Sequence, residues 1–262
     1  MKDGRKDKKS PIKTVPLRDA GQSLSEELDK LLNEKLLMWI MFSVFGIIFA
    51  AVQWLQWWSK SPPQPAGATV VAVVLCAVAA WRVRLLWPQI RNARLGLQGE
   101  KVVGQCLEAL RAKGYHVFHD IPGDGFNVDH MLVGPGGVFV IETKTRTKPM
   151  GRKSEVVYNG KTVKVDGWSP ERDPITQVSA ASGFVRNLIK DITGKEVKIR
   201  PVILFPGWFV HKPKGSDVWV LNEKAFRKFI TGARVVLDDA AVQQIASAIS
   251  MYVRTVTKAQ EP

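Results

Sequence analysis

Two long apolar stretches dominate the first third of the chain. Residues 36–58 contain no charged side chain and are rich in Ile, Phe, Trp and Met. About 20 such residues cross a bilayer as a helix. A second, shorter stretch, 68–81, is rich in Ala and Val and extends to Trp87 only past Arg82 and Arg84, whose long side chains can reach the interface. The pattern predicts a hairpin of two transmembrane helices within residues 36–87.

Each stretch has an alternative interpretation. The first resembles a signal peptide or a buried core helix in composition, and the second resembles an interfacial or re-entrant segment. A signal peptide has a short N-region and a cleavage site of small residues, whereas 35 residues precede the first stretch. A core helix rarely stays uncharged over such a length, so the transmembrane interpretation is preferred for both stretches.

The flanks of the two stretches set the expected orientation. Residues 1–35, a basic tail with a juxtamembrane helix, are rich in lysine, and four arginines follow Trp81. The connecting loop carries only Lys60. Excess Lys and Arg mark the cytoplasmic side, so we expect a multi-pass protein of the inner (plasma) membrane whose termini and soluble part are cytoplasmic. The first 22 residues are predicted to be disordered.

The remainder of the chain alternates between helical and strand periodicities, which predicts an α/β fold with a mixed sheet. The expected elements are a helix at 97–113, a strand at 115–121, hairpins at 127–144 and 155–165, a helix at 173–191, strands at 201–205 and 218–221, and helices at 223–230 and 238–256.

Composition narrows the classes of partner. The formal charge of +14 and pI near 9.9 favour polyanions such as nucleic acid or anionic lipid. Two cysteines and four histidines without metal-ligand spacing give neither a disulfide framework nor a zinc site.

The hairpin at 127–144 carries the candidate chemistry. A four-residue turn at 134–137, with Pro second and Gly third, fits type II. It pairs Val133 with Val138 and, in the same register, Asp129 with Glu142. Directly opposed residues share a face, so the two carboxylates are expected to lie side by side.

Lys144 lies two residues beyond Glu142 and therefore on the same face. Two carboxylates and an ammonium at the end of an apolar sheet suit a magnesium ion and a water that attacks phosphate. Lys144 is expected to position that water, to assist its deprotonation or to stabilise the transition state. The alternative is an exposed ion pair on an ordinary sheet.

Several motifs resemble the nuclease-related domain family, which is regarded as part of the PD-(D/E)xK superfamily. They are Gly99-Glu100, Asp129-His130, the Gly-Pro-Gly-Gly-Val-Phe-Val-Ile-Glu-Thr-Lys run at 134–144 and Asp-Pro-Ile-Thr-Gln at 173–177. The resemblance covers residues 97–205 and implies a restriction-endonuclease-like α/β fold with a four-stranded mixed core sheet flanked by helices. Residues 206–262 are expected to form a C-terminal α/β extension.

The resemblance also implies a set of site residues. Asp129 and Glu142 would bind Mg2+, or Mn2+ in its place, with Glu100 as a further ligand. Lys144 would be the catalytic lysine, and Gln177 would complete the site. Taken alone, Glu100 is an ordinary first-turn helix residue and Gln177 a neutral helix position.

These observations predict a membrane-anchored, metal-dependent nuclease that cleaves DNA phosphodiester bonds on the cytoplasmic side, with RNA as the other candidate substrate. The alternative is a noncatalytic, membrane-tethered protein that binds nucleic acid or acts as a scaffold. The candidate phosphate contacts are Arg146, Lys148, Arg152, Lys153, Lys161 and Lys164, with a solvated basic face or attraction to anionic lipid as the alternative. Trp168 and Trp208 are candidate base-stacking residues, with packing as the preferred interpretation.

Overall fold

The computed structural model describes residues 17–59, 65–148, 154–211 and 216–260 of the 262-residue chain. The chain divides into two compact units. One is Gln22–Gln98, and the other begins at Gly99 and includes the residues just before Gln22.

The first unit is helical. Helix α1 (Gln22–Lys30) continues through a π-helical segment (Leu31–Leu36) into α2 (Leu37–Trp58), and α3 spans Pro65–Glu108. The helix expected from residue 97 is therefore the last part of α3, which runs on from the second apolar stretch without a break and accommodates Pro88 in its interior.

Small residues allow α2 and α3 to pack closely. A Cβ added at Gly46 would lie 2.9 Å from Cδ1 of Leu75, and Ala50, Ala68 and Ala72 form one buried cluster. Such positions are typical of helix pairs in membranes. Both helices are long and apolar enough to cross a bilayer, and only 11% and 17% of their apolar windows are buried within the protein.

The second unit contains the remaining elements. In chain order after a 3-10 turn (Arg111–Lys113) they are β1 (His116–Pro122), β2 (Asn127–Gly134), β3 (Gly137–Thr143), β4 (Glu155–Tyr158), β5 (Val163–Val165), α4 (Pro174–Thr193), β6 (Ile199–Leu204), β7 (Phe209–His211), β8 (Trp219–Leu221), α5 (Glu223–Thr231) and α6 (Asp239–Gln260).

Five strands form the main sheet, in the order β1-β2-β3-β6-β8. The first three are antiparallel, whereas β6 is parallel to β3 and β8 to β6. The predicted mixed α/β sheet is confirmed. It has five strands instead of four because β8 pairs with the far side of β6.

Helices cover both faces of this sheet. One face packs on α4 and α6 through residues such as Val140, Val185 and Ile249. The other packs on the end of α3 and on α5 through residues such as Leu107 and Phe226. Strand β3 is buried at every position, as expected of a strand covered on both sides.

The β2–β3 hairpin has the predicted register but a different turn. Val133 pairs with Val138. A type II turn needs a positive φ at Gly136, whereas the positive φ lies at Gly137 (111°). The Tyr115 hydroxyl accepts a hydrogen bond from the N–H of Gly136 (3.2 Å), and a Cβ at Gly136 would overlap that hydroxyl. Glycine is required there for close packing, not for its φ.

Helix α4 begins and ends where its capping residues predicted. Asp173 accepts hydrogen bonds from the N–H groups of Ile175 and Thr176 (both 3.2 Å), and Pro174 occupies the first position. Gly194 ends the helix with φ 69°. The hairpin predicted at 155–165 is also confirmed, and it is joined by β7 in a second sheet of order β5-β4-β7.

The segment just before α1 is ordered. Arg18 is only 8% exposed and forms an ion pair with Asp120 (2.8 Å). A Cβ added at Gly104 would lie 2.6 Å from that of Ala20, so the segment packs closely on α3. The predicted disorder is therefore wrong for residues 17–21, while residues 1–16 lie outside the described residues.

Candidate functional site

The end of the β2–β3 hairpin brings three predicted site residues together. The β2–β3 ladder ends one residue before Asp129 and Glu142, so the same register places them opposite each other. The N–H of Thr143 donates to Oδ2 of Asp129 (2.7 Å). Nζ of Lys144 donates to Oε1 of Glu142 (2.6 Å).

Helix α3 supplies the fourth charge, Glu100. The preceding residue, Gly99, is buried, and a Cβ there would overlap the side chain of Thr145. The absence of a side chain at Gly99 therefore lets α3 lie directly against the chain just after β3, close to Glu142 and Lys144. This close approach brings the Glu100 carboxylate into the field of both residues.

Burial and like charge raise the pKa of Glu100 from its ordinary value of 4.5 to about 7. Desolvation is the largest cause, followed by the negative charges of Asp120 and Glu142, while Lys144 acts in the opposite direction. A carboxyl group with such a pKa is poised to exchange its proton for a metal ion near neutral pH.

The pKa of Asp129 also lies well above its ordinary value. Desolvation is again the main cause, and the charges of Glu142 and Glu100 add to it, while the N–H of Thr143 and the charge of Lys144 oppose the shift. The three carboxylates therefore repel one another, and a cation placed among them would be strongly favoured.

Sequence reasoning missed a fourth carboxylate near this group, Asp120 of β1. It is 3% exposed and raises the pKa of Glu100. An acidic residue inside an apolar strand was the available signal. No local signal identified its partner Arg18, because 102 positions separate the two residues.

His130, next to Asp129, belongs to a different hydrogen-bonded group. Its Nδ1 lies 2.8 Å from Nδ1 of His119, whose Nε2 lies 2.9 Å from Oε1 of Glu108. Burial and the neighbouring His119 hold the pKa of His130 well below its ordinary value. This ring is therefore a neutral, buried group at neutral pH.

Gln177 lies in the first turns of α4, and no described hydrogen bond joins its side chain to the carboxylates. Its Oε1 is buried without a hydrogen-bond partner among the described residues, as is Oγ1 of Thr143. Buried polar atoms normally have partners. The Gln177 oxygen is thus available to accept a hydrogen bond from a buried water.

The donor chemistry of the cluster fits magnesium. Carboxylate oxygens are the hard ligands that Mg2+ prefers, and Glu100, Asp129 and Glu142 would supply them. Within the described ranges, no three His, Cys, Asp or Glu side chains are already arranged around an ion position. One oxygen of Glu142 instead binds Lys144, and one of Asp129 binds a backbone N–H.

The candidate nucleic-acid contacts fall into different environments. Trp208 is 2% exposed, with Nζ of Lys148 5.2 Å from its ring centre, so it is a packing residue. Trp168 is 74% exposed. Arg146, Lys148, Lys161 and Lys164 are exposed, whereas Arg152 and Lys153 lie outside the described residues.

Comparison with known families agrees with this geometry. The family model described as "Nuclease-related domain" matches residues 95–206. Residues 95–206 are therefore similar to a nuclease-related domain. The matched segment includes Glu100, Asp129, Glu142, Lys144 and Gln177.

An uncharacterized protein of Bacillus anthracis is 41% identical to the chain over 54 residues, which are 19% of this chain and 26% of that protein. The chain thus matches about a quarter of that relative's length. No solved structure gives a significant match.

Replacement of Gly99 by Ala should damage both packing and the site. The new methyl group meets Thr145, so α3 must move, and we expect a loss of about 1–3 kcal/mol in the free energy of unfolding. Thermal unfolding of the full chain in detergent measures this loss. A second substitution, Thr145→Ala, should partly restore stability.

Gly183 in α4 provides the matched control, because a Cβ there meets nothing within 4 Å. Gly183→Ala should be neutral or stabilising by up to about 1 kcal/mol. Equal losses from both Gly→Ala changes would contradict the close approach at Gly99.

The raised pKa of Glu100 predicts a stability that falls with pH. The folded state holds this proton up to about pH 7 and the unfolded state only to about 4.5, so the metal-free protein loses stability as pH rises through that window. As pH rises from 4.5 to 7, the free energy of unfolding of Glu100→Gln should increase relative to that of the wild type by up to about 3 kcal/mol. Thermal unfolding with a chelator present measures this difference.

Glu108 serves as the control of opposite sign. A hydrogen bond from Arg111 is the main cause that lowers the pKa of Glu108. The free energy of unfolding of the wild type should therefore rise relative to that of Glu108→Gln as pH increases. A Glu100→Gln protein whose pH dependence equals that of wild type would show that Glu100 is not perturbed.

Proposed function

We propose that this protein is a membrane-anchored, Mg2+-dependent nuclease of the PD-(D/E)xK type that hydrolyses DNA phosphodiester bonds. The observation that carries the proposal is the convergence of Glu100, Asp129, Glu142 and Lys144 within a nuclease-related domain. Mn2+ is expected to replace Mg2+ in the same site.

In this proposal the three carboxylates hold the ion and Lys144 acts on the reacting groups. When bound, the ion supplies a polarised water and neutralises charge on the phosphate. Lys144 leaves Glu142 and places its ammonium at the water or the phosphate. Hydrolysis forms a bond from phosphorus to the water oxygen and breaks the bond to the sugar oxygen. The attacking water gives one proton to solvent, and the departing sugar oxygen takes one up from solvent.

Gln177 is proposed to complete the site as a hydrogen-bonding residue. Its buried, unpartnered Oε1 is an acceptor that would orient a bound water. The exposed basic residues beyond β3 and on the β4–β5 hairpin would contact phosphates without reading sequence. Trp168 is exposed enough to stack on a base.

Membrane anchoring is proposed from the two apolar helices, with the domain on the cytoplasmic side. Arg18 precedes the first apolar helix and Asp120 follows the second, yet the two form one buried ion pair. Two such residues must lie on the same side of a membrane, which supports two spans. The basic flanks favour the cytoplasm for that side.

Asp129→Asn should abolish metal-dependent cleavage. The change removes a charged ligand and keeps the shape of the side chain, and we expect a loss of roughly a hundredfold or more, since outer-shell changes alone cost 10–100-fold. The assay uses the full chain in detergent with linear, circular and single-stranded DNA and with RNA, in Mg2+, Mn2+ or chelator.

Asp239→Asn, at the exposed start of α6, is the matched control and should cleave as wild type does. Nucleic-acid binding without turnover, indifferent to Mg2+, would instead identify a noncatalytic membrane-tethered binding protein or scaffold. Cleavage of RNA alone would correct the substrate class.

Cysteine labelling tests the proposed topology. With Cys76 and Cys106 replaced by Ser, single cysteines at Ser10, Ser59 or Asp124 are treated with an impermeant maleimide on intact cells stripped of their outer layers. Only Ser59→Cys should react, because it lies between the two helices, and the other two should react after permeabilisation. Labelling of Asp124→Cys from outside would contradict the cytoplasmic placement.

A further inference from the structure

Asp120 occupies a specific place in the sheet. In the β1–β2 ladder, His119 pairs with His130 and Ile121 with Val128, so Asp120 lies opposite Asp129. The backbone at Asp120 has φ 48°, an uncommon conformation for a residue other than glycine. Such strain persists where the surroundings fix it and is often found at functional sites.

Three adjacent strands therefore each contribute a carboxylate at the same level of the sheet. Asp120 of β1 is followed by Asp129 of β2 and by Glu142 of β3. Glu100 of α3 senses the charges of Asp120 and Glu142. Asp120 is thus electrostatically part of the cluster and not a separate surface residue.

Both oxygens of Asp120 have protein partners. Oδ2 accepts from Nε of Arg18 (2.8 Å) and lies 2.8 Å from its second terminal nitrogen, and Oδ1 accepts from Nδ2 of Asn127 (2.9 Å). The Arg18 and Asp120 side chains are only 7% and 5% exposed. Salt screens such a buried pair far less than an exposed one.

We propose that Asp120 is a further carboxylate of the metal site and that Arg18 sets the affinity of the site for divalent cations by neutralising it. The inference rests on the proposed function, because it concerns the same ion. Arg18 and the ion compete for the same negative charge. While Arg18 is docked, the site binds the ion less tightly than its four carboxylates alone would.

Arg18 also connects this charge to the membrane-proximal part of the chain. It lies four residues before Gln22, where α1 begins, and no other described helix or strand precedes it. Movement of residues 17–21 away from β1 would remove the arginine from Asp120. The site would then gain a negative charge and bind its cation more tightly.

The test is a charge cycle measured by metal binding. Arg18→Met, Asp120→Asn and the double variant are purified as full chains in detergent, and Mn2+ binding is measured by calorimetry. One charge a few ångströms from a divalent ion changes affinity roughly tenfold. We expect Arg18→Met to bind Mn2+ about tenfold more tightly, Asp120→Asn about tenfold more weakly, and the double variant within a few-fold of wild type.

In the proposed role, the two single substitutions change Mn2+ affinity in opposite directions and their effects cancel in the double variant. In a merely structural role, both single substitutions would weaken Mn2+ binding. Arg111→Met removes the same charge from a half-exposed pair with Glu108 and should leave Mn2+ affinity unchanged. Arg18→Lys keeps the charge and should remain close to wild type. Unchanged or weaker binding by Arg18→Met overturns the proposal.

If Arg18→Met does not fold, Asp120→Asn and the double variant decide the matter, because both lack the unpaired buried carboxylate. Unchanged Mn2+ affinity in Asp120→Asn then overturns the proposal.

The Asp129→Asn variant separates the proposal about Arg18 from the proposed function. Loss of Mn2+ binding there, with wild-type affinity in the Arg18 and Asp120 variants, refutes only the inference about Arg18, whereas Mn2+ binding retained by Asp129→Asn refutes the metal site itself.

Discussion

The candidate site of the second unit depends on the concentration of like charge at one end of an apolar sheet. Carboxylates from β1, β2, β3 and α3 converge there, and burial makes their mutual repulsion strong. The fold supplies nearby donors that moderate it: Lys144 on Glu142, Arg18 on Asp120 and the N–H of Thr143 on Asp129. Two carboxyl groups still have raised pKa values. We propose that a bound cation would relieve this repulsion.

Local signals predicted the elements well because each depends on a few neighbouring residues. Asp173-Pro174 and Gly194 predicted the limits of α4, and the spacing around the turn predicted the β2–β3 register. The turn sequence alone did not predict the turn type, because it depends on contact with Tyr115. The Tyr115 ring packs on the turn, and the positive φ falls at Gly137. The fifth strand likewise depends on pairing with β6, which no local pattern specifies.

Some residues of the candidate site were likewise predicted by local sequence, and others were not. Glu142 lies in β3 and Lys144 directly follows that strand, and the hairpin adds Asp129, so these three were predicted from spacing. Glu100 was selected only by family resemblance, and its proximity depends on the contact of α3 with Thr145. Arg18 was beyond prediction, because a basic residue in a lysine-rich tail has no sequence feature that distinguishes a buried partner from a solvated one.

Two residues of the charged cluster lie close in sequence to the two connections between the units. The chain passes from one unit to the other twice, before Gln22 and after Gln98. Arg18 lies four residues before the first passage and Glu100 two residues after the second, and both carry charges of the cluster. Each connection to the apolar helices therefore ends at a group that affects the same carboxylates. A domain cut from the chain at residue 97 would retain Glu100 and lose Arg18. Under the proposed role of Arg18, we expect its cation affinity to differ from that of the full chain.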